Sequence, residues 1–307
     1  MINFYFSDEY ANHDTGSHPE SIQRIKTVKK LLHDKYTQHL FIEPSKASIE
    51  IISNVHDKNY IEEILNNIPN SGFYHFDPDT IASSTSLDSY LMAVGGSVDS
   101  VLHSINHKSK KSVYFCAHRP PGHHAEKNKA MGFGVFNNVA IAAQFALDQK
   151  NYKKILIVDF DVHHGNGTQH IFESNPNIYY ASSHQFPFYP GTGNENETGV
   201  GNIFNCPLPS GCNSDLFREL FQKKIIDKID VKFDLLFFSA GFDAHKLDPL
   251  ASINLENEDF EWVTNVTLKK FAKDIPVISV LEGGYDMDGL YNGLDNHLKA
   301  LDKYSNE

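Results

Sequence analysis

Six short runs, Ile2–Phe6, Ser112–Ala117, Ile155–Phe160, Ile178–Ser182, Leu235–Ala240 and Val277–Leu281, are apolar almost throughout and rich in β-branched and aromatic residues. A strand with no polar face must be covered on both sides, as parallel strands are when they pack between layers of helices. Amphipathic periodicity predicts those helices at Ser21–His33, Asn59–Asn67, Ser86–Asn106, Asn137–Gln149, Asp215–Asp230 and Asp259–Lys273, with Asp286–Leu301 closing the chain. Strand and helix alternate, so the expected fold is a doubly wound α/β domain. With no internal repeat, low-complexity tract or long linker, residues 1–307 read as a single domain.

Ligands of such sheets bind beyond the carboxyl ends of the strands. Ser112–Ala117 runs into Arg119-Pro120-Pro121-Gly122-His123-His124, Ile155–Phe160 into Asp161 and His163, and Ile178–Ser182 into Ser183-His184. Leu235–Ala240 leads to Gly241-Phe242-Asp243, and Val277–Leu281 to Glu282-Gly283-Gly284-Tyr285. Five strand ends therefore deliver polar, mostly glycine-punctuated loops to one rim.

Composition narrows what that rim handles. With 39 acidic against 27 basic residues the formal net charge is -12. Such a surface repels phosphate backbones, which argues against direct nucleic-acid binding, and attracts a cationic substrate such as a lysine-rich peptide or a polyamine. No apolar stretch is long enough to span a membrane. Asp8 and Glu9 interrupt the apolar start where a signal peptide would continue. Cys116, Cys206 and Cys212 form neither a disulfide framework nor a zinc ribbon. Asn166-Gly167-Thr168 is formally a glycosylation acceptor, but a sugar there would block the rim, so a cytoplasmic location is expected. The sequence carries no signal for an oligomeric state.

Asp159, Asp161 and His163 alternate along an extended segment, so their side chains point to one side. Carboxylate and imidazole without thiolate suit a borderline divalent ion such as zinc or iron(II). Asp161 and His163 alone read better as a helix cap and a packing histidine, but three polar residues closing an apolar strand favour a metal. Asp243, at the end of another strand, completes a set of two carboxylates and one imidazole. Such a set leaves an open position, as a catalytic metal requires. His123 and His124 follow a stiff Pro-Pro-Gly turn and are candidates for proton transfer. An imidazole in that role needs a partner on its other nitrogen, and Asp159 and Asn166 are candidates. Tyr285 could polarise a substrate carbonyl and hold an oxyanion, a contribution of ~3 kcal/mol for one such donor.

Taken together, Arg119–Ala125, Asp159–Gln169, Ser239–Ala244 with Asp248-Pro249-Leu250, and Leu281–Tyr285 resemble the zinc-dependent histone deacetylase family. The class II-like branch, with bacterial deacetylases and acetylpolyamine amidohydrolases, is the more similar. His18-Pro19-Glu20 with Arg24 resembles the family's N-terminal signature, and His184 with Tyr189-Pro190-Gly191-Thr192-Gly193 its later loop.

The resemblance implies an arginase–deacetylase fold, a single α/β domain around an eight-stranded parallel sheet flanked by helices. It also implies that Asp161, His163 and Asp243 bind zinc, with iron(II) as the alternative. His124 would be the principal general base, and His123 would stabilise the transition state or protonate the leaving group. Tyr285 would bind the acyl oxygen, and Asp159 and Asn166 would orient His123 and His124. Where some relatives carry Asp, Asn166 is a weaker partner and predicts a less basic His124. A structural potassium ion is implied near Asp159, Asp161, His163 and Ser182. Gly132, Phe133, Tyr189, Leu250 and Gly284 would line the substrate tunnel.

Leu250 stands where polyamine-specific relatives carry an acidic gatekeeper, which favours acetyl-lysine in a protein or peptide over an acetylated polyamine. The expected reaction is therefore removal of the acetyl group from N-acetyl-lysine by attack of a metal-activated water. Acetylpolyamine hydrolysis and removal of longer acyl chains are the alternatives. Asp77 and Asp79 compete for the place of a rim aspartate that grips substrate.

Overall fold

The computed structural model describes residues 1–107 and 111–307. In chain order its strands and helices are β1 (Ile2–Tyr5), α1 (Ile22–Lys35), β2 (Leu40–Ile42), α2 (Ile49–Ile52), α3 (Lys58–Asn66), β3 (Phe73–Asp77), β4 (Thr80–Ser83), α4 (Ser86–Asn106), β5 (Val113–Cys116), α5 (Asn138–Asp148), β6 (Ile155–Asp159), α6 (Asn166–Phe172), β7 (Ile178–Gln185), β8 (Ile203–Leu208), α7 (Ser214–Phe221), β9 (Leu235–Ala240), α8 (Asn257–Phe271), β10 (Val277–Leu281) and α9 (Met287–Asn306). Eight strands form one sheet in the order β2-β1-β5-β10-β9-β6-β7-β8, and every pairing in it is parallel. β3 and β4 make a separate antiparallel hairpin.

The apolar runs are buried on both faces, as their composition requires. Alternate residues of one strand serve opposite cores: Leu156 and Val158 pack with residues of α1, α8 and α9, whereas Ile155 and Ile157 pack with residues of α3, α4 and α5. The five strands whose ends carry the polar loops are neighbours in the sheet, β5-β10-β9-β6-β7. Parallel pairing brings all five carboxyl ends to one edge, so Gly122 and Glu282, 160 residues apart in sequence, meet there.

Several elements depart from the sequence expectation. β2 and β8, the two edge strands, read as loops. β2 is three residues long and largely exposed. β8 carries Pro207, which an edge strand tolerates because one row of its N–H groups needs no partner. β7 continues past Ser182 to Gln185 and places His184 inside the sheet. The helix expected at Asp215–Asp230 is shorter, since α7 passes into a single π turn at Gln222–Ile226.

Candidate active site

Asp161 and His163 lie just past β6, and Asp243 just past its neighbour β9. Backbone amides of adjacent loops hold the two carboxylates. Asp161 Oδ1 accepts from His163 N at 2.9 Å, and Asp161 Oδ2 from Gly283 N at 2.8 Å. Asp243 Oδ1 accepts from Val162 N at 2.8 Å. Gly283 is obligatory in this arrangement, because a Cβ there would fall 2.3 Å from Asp243 Oδ2 and 2.6 Å from Asp161 Oδ2.

His163 Nδ1 sits 3.2 Å from Asp161 Oδ1 and 3.1 Å from Asp243 Oδ2. One donor atom from each residue lies within 4.8 Å of the others. Burial and then the charge of Asp161 push the Asp243 carboxyl up to about 7. Burial opposes a charge on His163, but the two carboxylates outweigh it and bring the imidazole to about 10. Two buried carboxylates repelling each other beside an imidazole form a donor set that a divalent cation would relieve. These residues therefore fit a zinc or iron(II) ion.

The histidine pair divides in two. His123 Nδ1 lies 3.0 Å from Asp159 Oδ2, which also accepts from the Tyr180 hydroxyl at 2.9 Å. Burial works against a charged ring, yet the carboxylates of Asp161 and Asp159 hold the His123 pKa well above its usual value. His124 Nδ1 lies 2.8 Å from Asn166 Oδ1. An amide oxygen only accepts, so Nδ1 carries the proton and Nε2 presents a lone pair. Burial, then repulsion from His123 and His163, lowers the His124 pKa well below the usual histidine value. The lowering comes from burial and charge; the Asn166 hydrogen bond itself acts in the opposite direction.

A cavity of about 340 Å³ opens onto this group, lined by His18, Pro19, Asp79, His124, Gly132, Phe133, His163, Phe188, Tyr189, Leu250 and Tyr285. Of the two candidate rim aspartates, Asp79 stands in the wall, while Asp77 Oδ1 accepts from Asp79 N at 2.9 Å and forms the turn. Gly284, expected in the tunnel, lies behind it. Its carbonyl accepts from Arg24 Nε at 2.7 Å, and a Cβ there would meet Leu290 and Phe242 rather than the cavity. Ser182 is on β7 opposite Asp159, with its hydroxyl 2.8 Å from His184 Nδ1.

Gly132 and Phe133 form a tight turn closed by Met131 N→Gly134 O and Gly134 N→Met131 O bonds, both 3.1 Å, with φ of +57° and +70°. Positive φ at both central residues is the pattern of a type I′ turn, and it is rare for an aromatic residue. It aims the Phe133 ring edge-to-face at His18 (4.5 Å) and Tyr285 (5.5 Å). Burial raises the Tyr285 phenol well above its usual range despite the nearby Arg24 guanidinium, so it remains a proton donor.

Three buried groups that brace the site were not singled out by their chemistry. Glu282 accepts from Gly122 N (2.7 Å), His123 N (3.2 Å) and Ser239 Oγ (2.9 Å), tying the loops after β5 and β10 to the end of β9. Its position as a carboxylate ending an apolar strand was the available signal. Asp248 accepts from Tyr285 N at 2.6 Å and so fixes the loop that carries the phenol. Glu20, bonded to Arg119 and Arg24, supports the same loop from beneath, since Arg24 also donates to the Glu282 and Gly284 carbonyls.

Comparison with known proteins agrees with this geometry. The family model described as the histone deacetylase domain matches residues 18–301. "Histone deacetylase 14, chloroplastic" of Arabidopsis thaliana is 36% identical over 94% of this chain and 74% of its own length. A "Probable deacetylase" of Methanothermobacter thermautotrophicus is 33% identical over 96% and 89%. The crystal structure of the HDA15 HD domain superposes with a TM-score of 0.89 at 30% identity, covering 98% of this chain and 90% of that one. The eight-stranded parallel sheet is thus an arginase–deacetylase fold, and the chain belongs to the histone deacetylase family of hydrolases.

Proposed function

We propose that the protein removes the acetyl group from N-acetyl-lysine in proteins or peptides, with zinc at Asp161, His163 and Asp243. The observation that carries this reading is the convergence of His124, His163 and Tyr285 on one narrow cavity walled by Phe133, Phe188, Tyr189 and Leu250. Aromatic and aliphatic walls suit the alkyl stem of an acyl-lysine, and Asp79 at the mouth suits the N–H groups of a substrate backbone. The ion would supply Lewis acidity towards the acyl oxygen and make water a stronger nucleophile at neutral pH.

The remaining chemistry belongs to side chains. His124, with Nδ1–H bound to Asn166, directs the Nε2 lone pair to the cavity and takes the proton from the attacking water. Of the two histidines only His124 lines the cavity, so the same nitrogen returns the proton to the departing lysine amine. His123, whose charged form the carboxylates of Asp161 and Asp159 favour and whose Nε2 lies 3.7 Å from Asp161, would stabilise developing negative charge. Tyr285 donates its hydroxyl to the acyl oxygen as that oxygen gains charge. A potassium ion near Asp159, Asp161, His163 and Ser182 belongs to the same reading, supported by the β6–β7 register that sets Asp159 opposite Ser182. A cytoplasmic setting is in keeping with the free, buried Cys116, Cys206 and Cys212; no described helix is long and apolar enough to cross a membrane.

An acetylated polyamine is the second reading, favoured by the acidic net charge. Against it, Leu250 stands in the wall, and Asp79 is the one carboxylate lining the cavity among the described residues. Acetate release from an acetyl-lysine peptide and from N-acetylspermidine, measured side by side on zinc-loaded protein, separates the two. We expect kcat/KM at least about tenfold higher for the peptide. Preference for acetylspermidine would replace the substrate assigned here.

A further inference from the structure

An asparagine is an ambiguous partner for a base. Its amide can face either way, and only one orientation presents an acceptor to His124 Nδ1. The reverse orientation would aim an NH2 group at that nitrogen, move the ring proton to Nε2 and remove the lone pair from the cavity. Something must therefore fix the amide.

Asn166 opens α6, and His170 stands four residues on, so both lie on one face of the helix. That face meets Glu126, two residues beyond His124. Glu126 Oε1 accepts from Asn166 Nδ2 at 2.5 Å and lies 2.7 Å from His170 Nδ1. Asn166 Nδ2 also reaches the His124 carbonyl at 3.3 Å. Both acceptors lie on the nitrogen side of the amide, and a reversed amide would set its oxygen against a carboxylate and a carbonyl. The Glu126 backbone is held by its N–H bond to Lys129 O at 2.9 Å, and its side chain is only 18% exposed.

We propose that Glu126 is a positioning residue for the catalytic base: its carboxylate locks the Asn166 amide and polarises it, so that a Glu126–Asn166 pair does the work of a single orienting carboxylate. His170, 41% exposed, closes the outer end of this chain of hydrogen bonds. The inference rests on the reading of His124 as base.

The test is a double-mutant cycle on the zinc-loaded full chain with acetyl-lysine peptide. Glu126→Gln keeps the shape and removes the charge. It should lower kcat about tenfold, part of the roughly 10²–10⁴-fold that a positioned base supplies, and leave KM nearly unchanged. In an Asn166→Asp background no amide needs locking and Glu126 repels the new carboxylate, so Glu126→Gln should raise kcat. This reversal of sign is a coupling that a merely structural residue would not give. Histidine 15N NMR gives a readout without turnover: His124 should be the Nδ1–H tautomer in the natural protein and a mixture of tautomers in Glu126→Gln. Unchanged kcat and tautomer in Glu126→Gln overturn the proposal, and so does an equal loss of kcat in both backgrounds. If the natural protein releases no acetate, the functional reading fails separately, and the tautomer still decides the role of Glu126.

Discussion

Gly132 offers a sharp perturbation, because its Cα faces the ring of His124. A Cβ at that position would fall 2.2 Å from His124 Cδ2 and 2.5 Å from Cγ. An ordinary carbon contact is ~3.5 Å, so in Gly132→Ala the imidazole has to retreat by about 1.3 Å from Asn166 or from the cavity. A misplacement of about 1 Å at a reacting group costs roughly 10²-fold in rate. The substitution also places an alanine at a φ of +57°, a left-handed conformation that costs ~1–2 kcal/mol. Gly72→Ala separates the two effects, since Gly72 has φ +69° and nothing within 4 Å of the added carbon. Both variants should lose the backbone-strain share of stability in urea unfolding, Gly132→Ala losing more because of its clash, and only Gly132→Ala should lose about 100-fold in kcat for acetate release. Gly132→Ala turning over within about threefold of the natural protein would refute the placement of His124 as base. An equal loss in Gly72→Ala would assign the effect to backbone strain.

Gly283→Ala, whose Cβ would meet both metal-site carboxylates, should weaken zinc binding by roughly 10–100-fold in a chelator competition; unchanged affinity would exclude Asp161 and Asp243 as joint ligands. Tyr285→Phe should lower kcat by about 10²-fold with little change in KM, and a pure KM effect would reassign the phenol to ground-state binding. Burial opposes the charge on Glu20, but Arg119 outweighs it and holds the carboxyl at about 2, below its ordinary 4.5. Its contribution is therefore complete above pH 4.5 and is lost as pH falls towards 2. Over that window the natural protein should lose roughly 3 kcal/mol of urea stability that Glu20→Gln does not; parallel profiles for the two proteins would contradict the assignment.

The sequence makes β5, β6, β9 and β10 legible because burial on both faces leaves them apolar apart from Ser239, Ser279 and the terminal Asp159, and their ends hold most of the site. β2 and β8 escape the same logic: β2 is largely exposed, and β8, although mostly buried, carries Asn205 and Pro207, which an edge strand tolerates. Asp161, His163 and Asp243 come together in the fold because loops of adjacent parallel strands must. The family resemblance points to Phe133, which lines the cavity, but its positive φ is not legible, since that conformation is imposed by the turn bonds between Met131 and Gly134. Asp77 and Asp79 could not be separated without the β3–β4 turn, which turns one inward as a bracket and leaves the other at the cavity. The family resemblance puts Gly284 in the tunnel, yet Arg24 claims its carbonyl from the opposite side. Glu126 and Glu282 act through long-range hydrogen bonds that no local spacing records.

The most direct test is a titration of metal-free protein with zinc while acetate release from an acetyl-lysine peptide is followed, with Asp243→Ala in parallel. Activity should rise from zero to a plateau at one ion per chain, and Asp243→Ala should stay inactive at that stoichiometry. Activity in the metal-free protein, or a natural-type plateau in Asp243→Ala, would contradict a reaction centred on Asp161, His163 and Asp243.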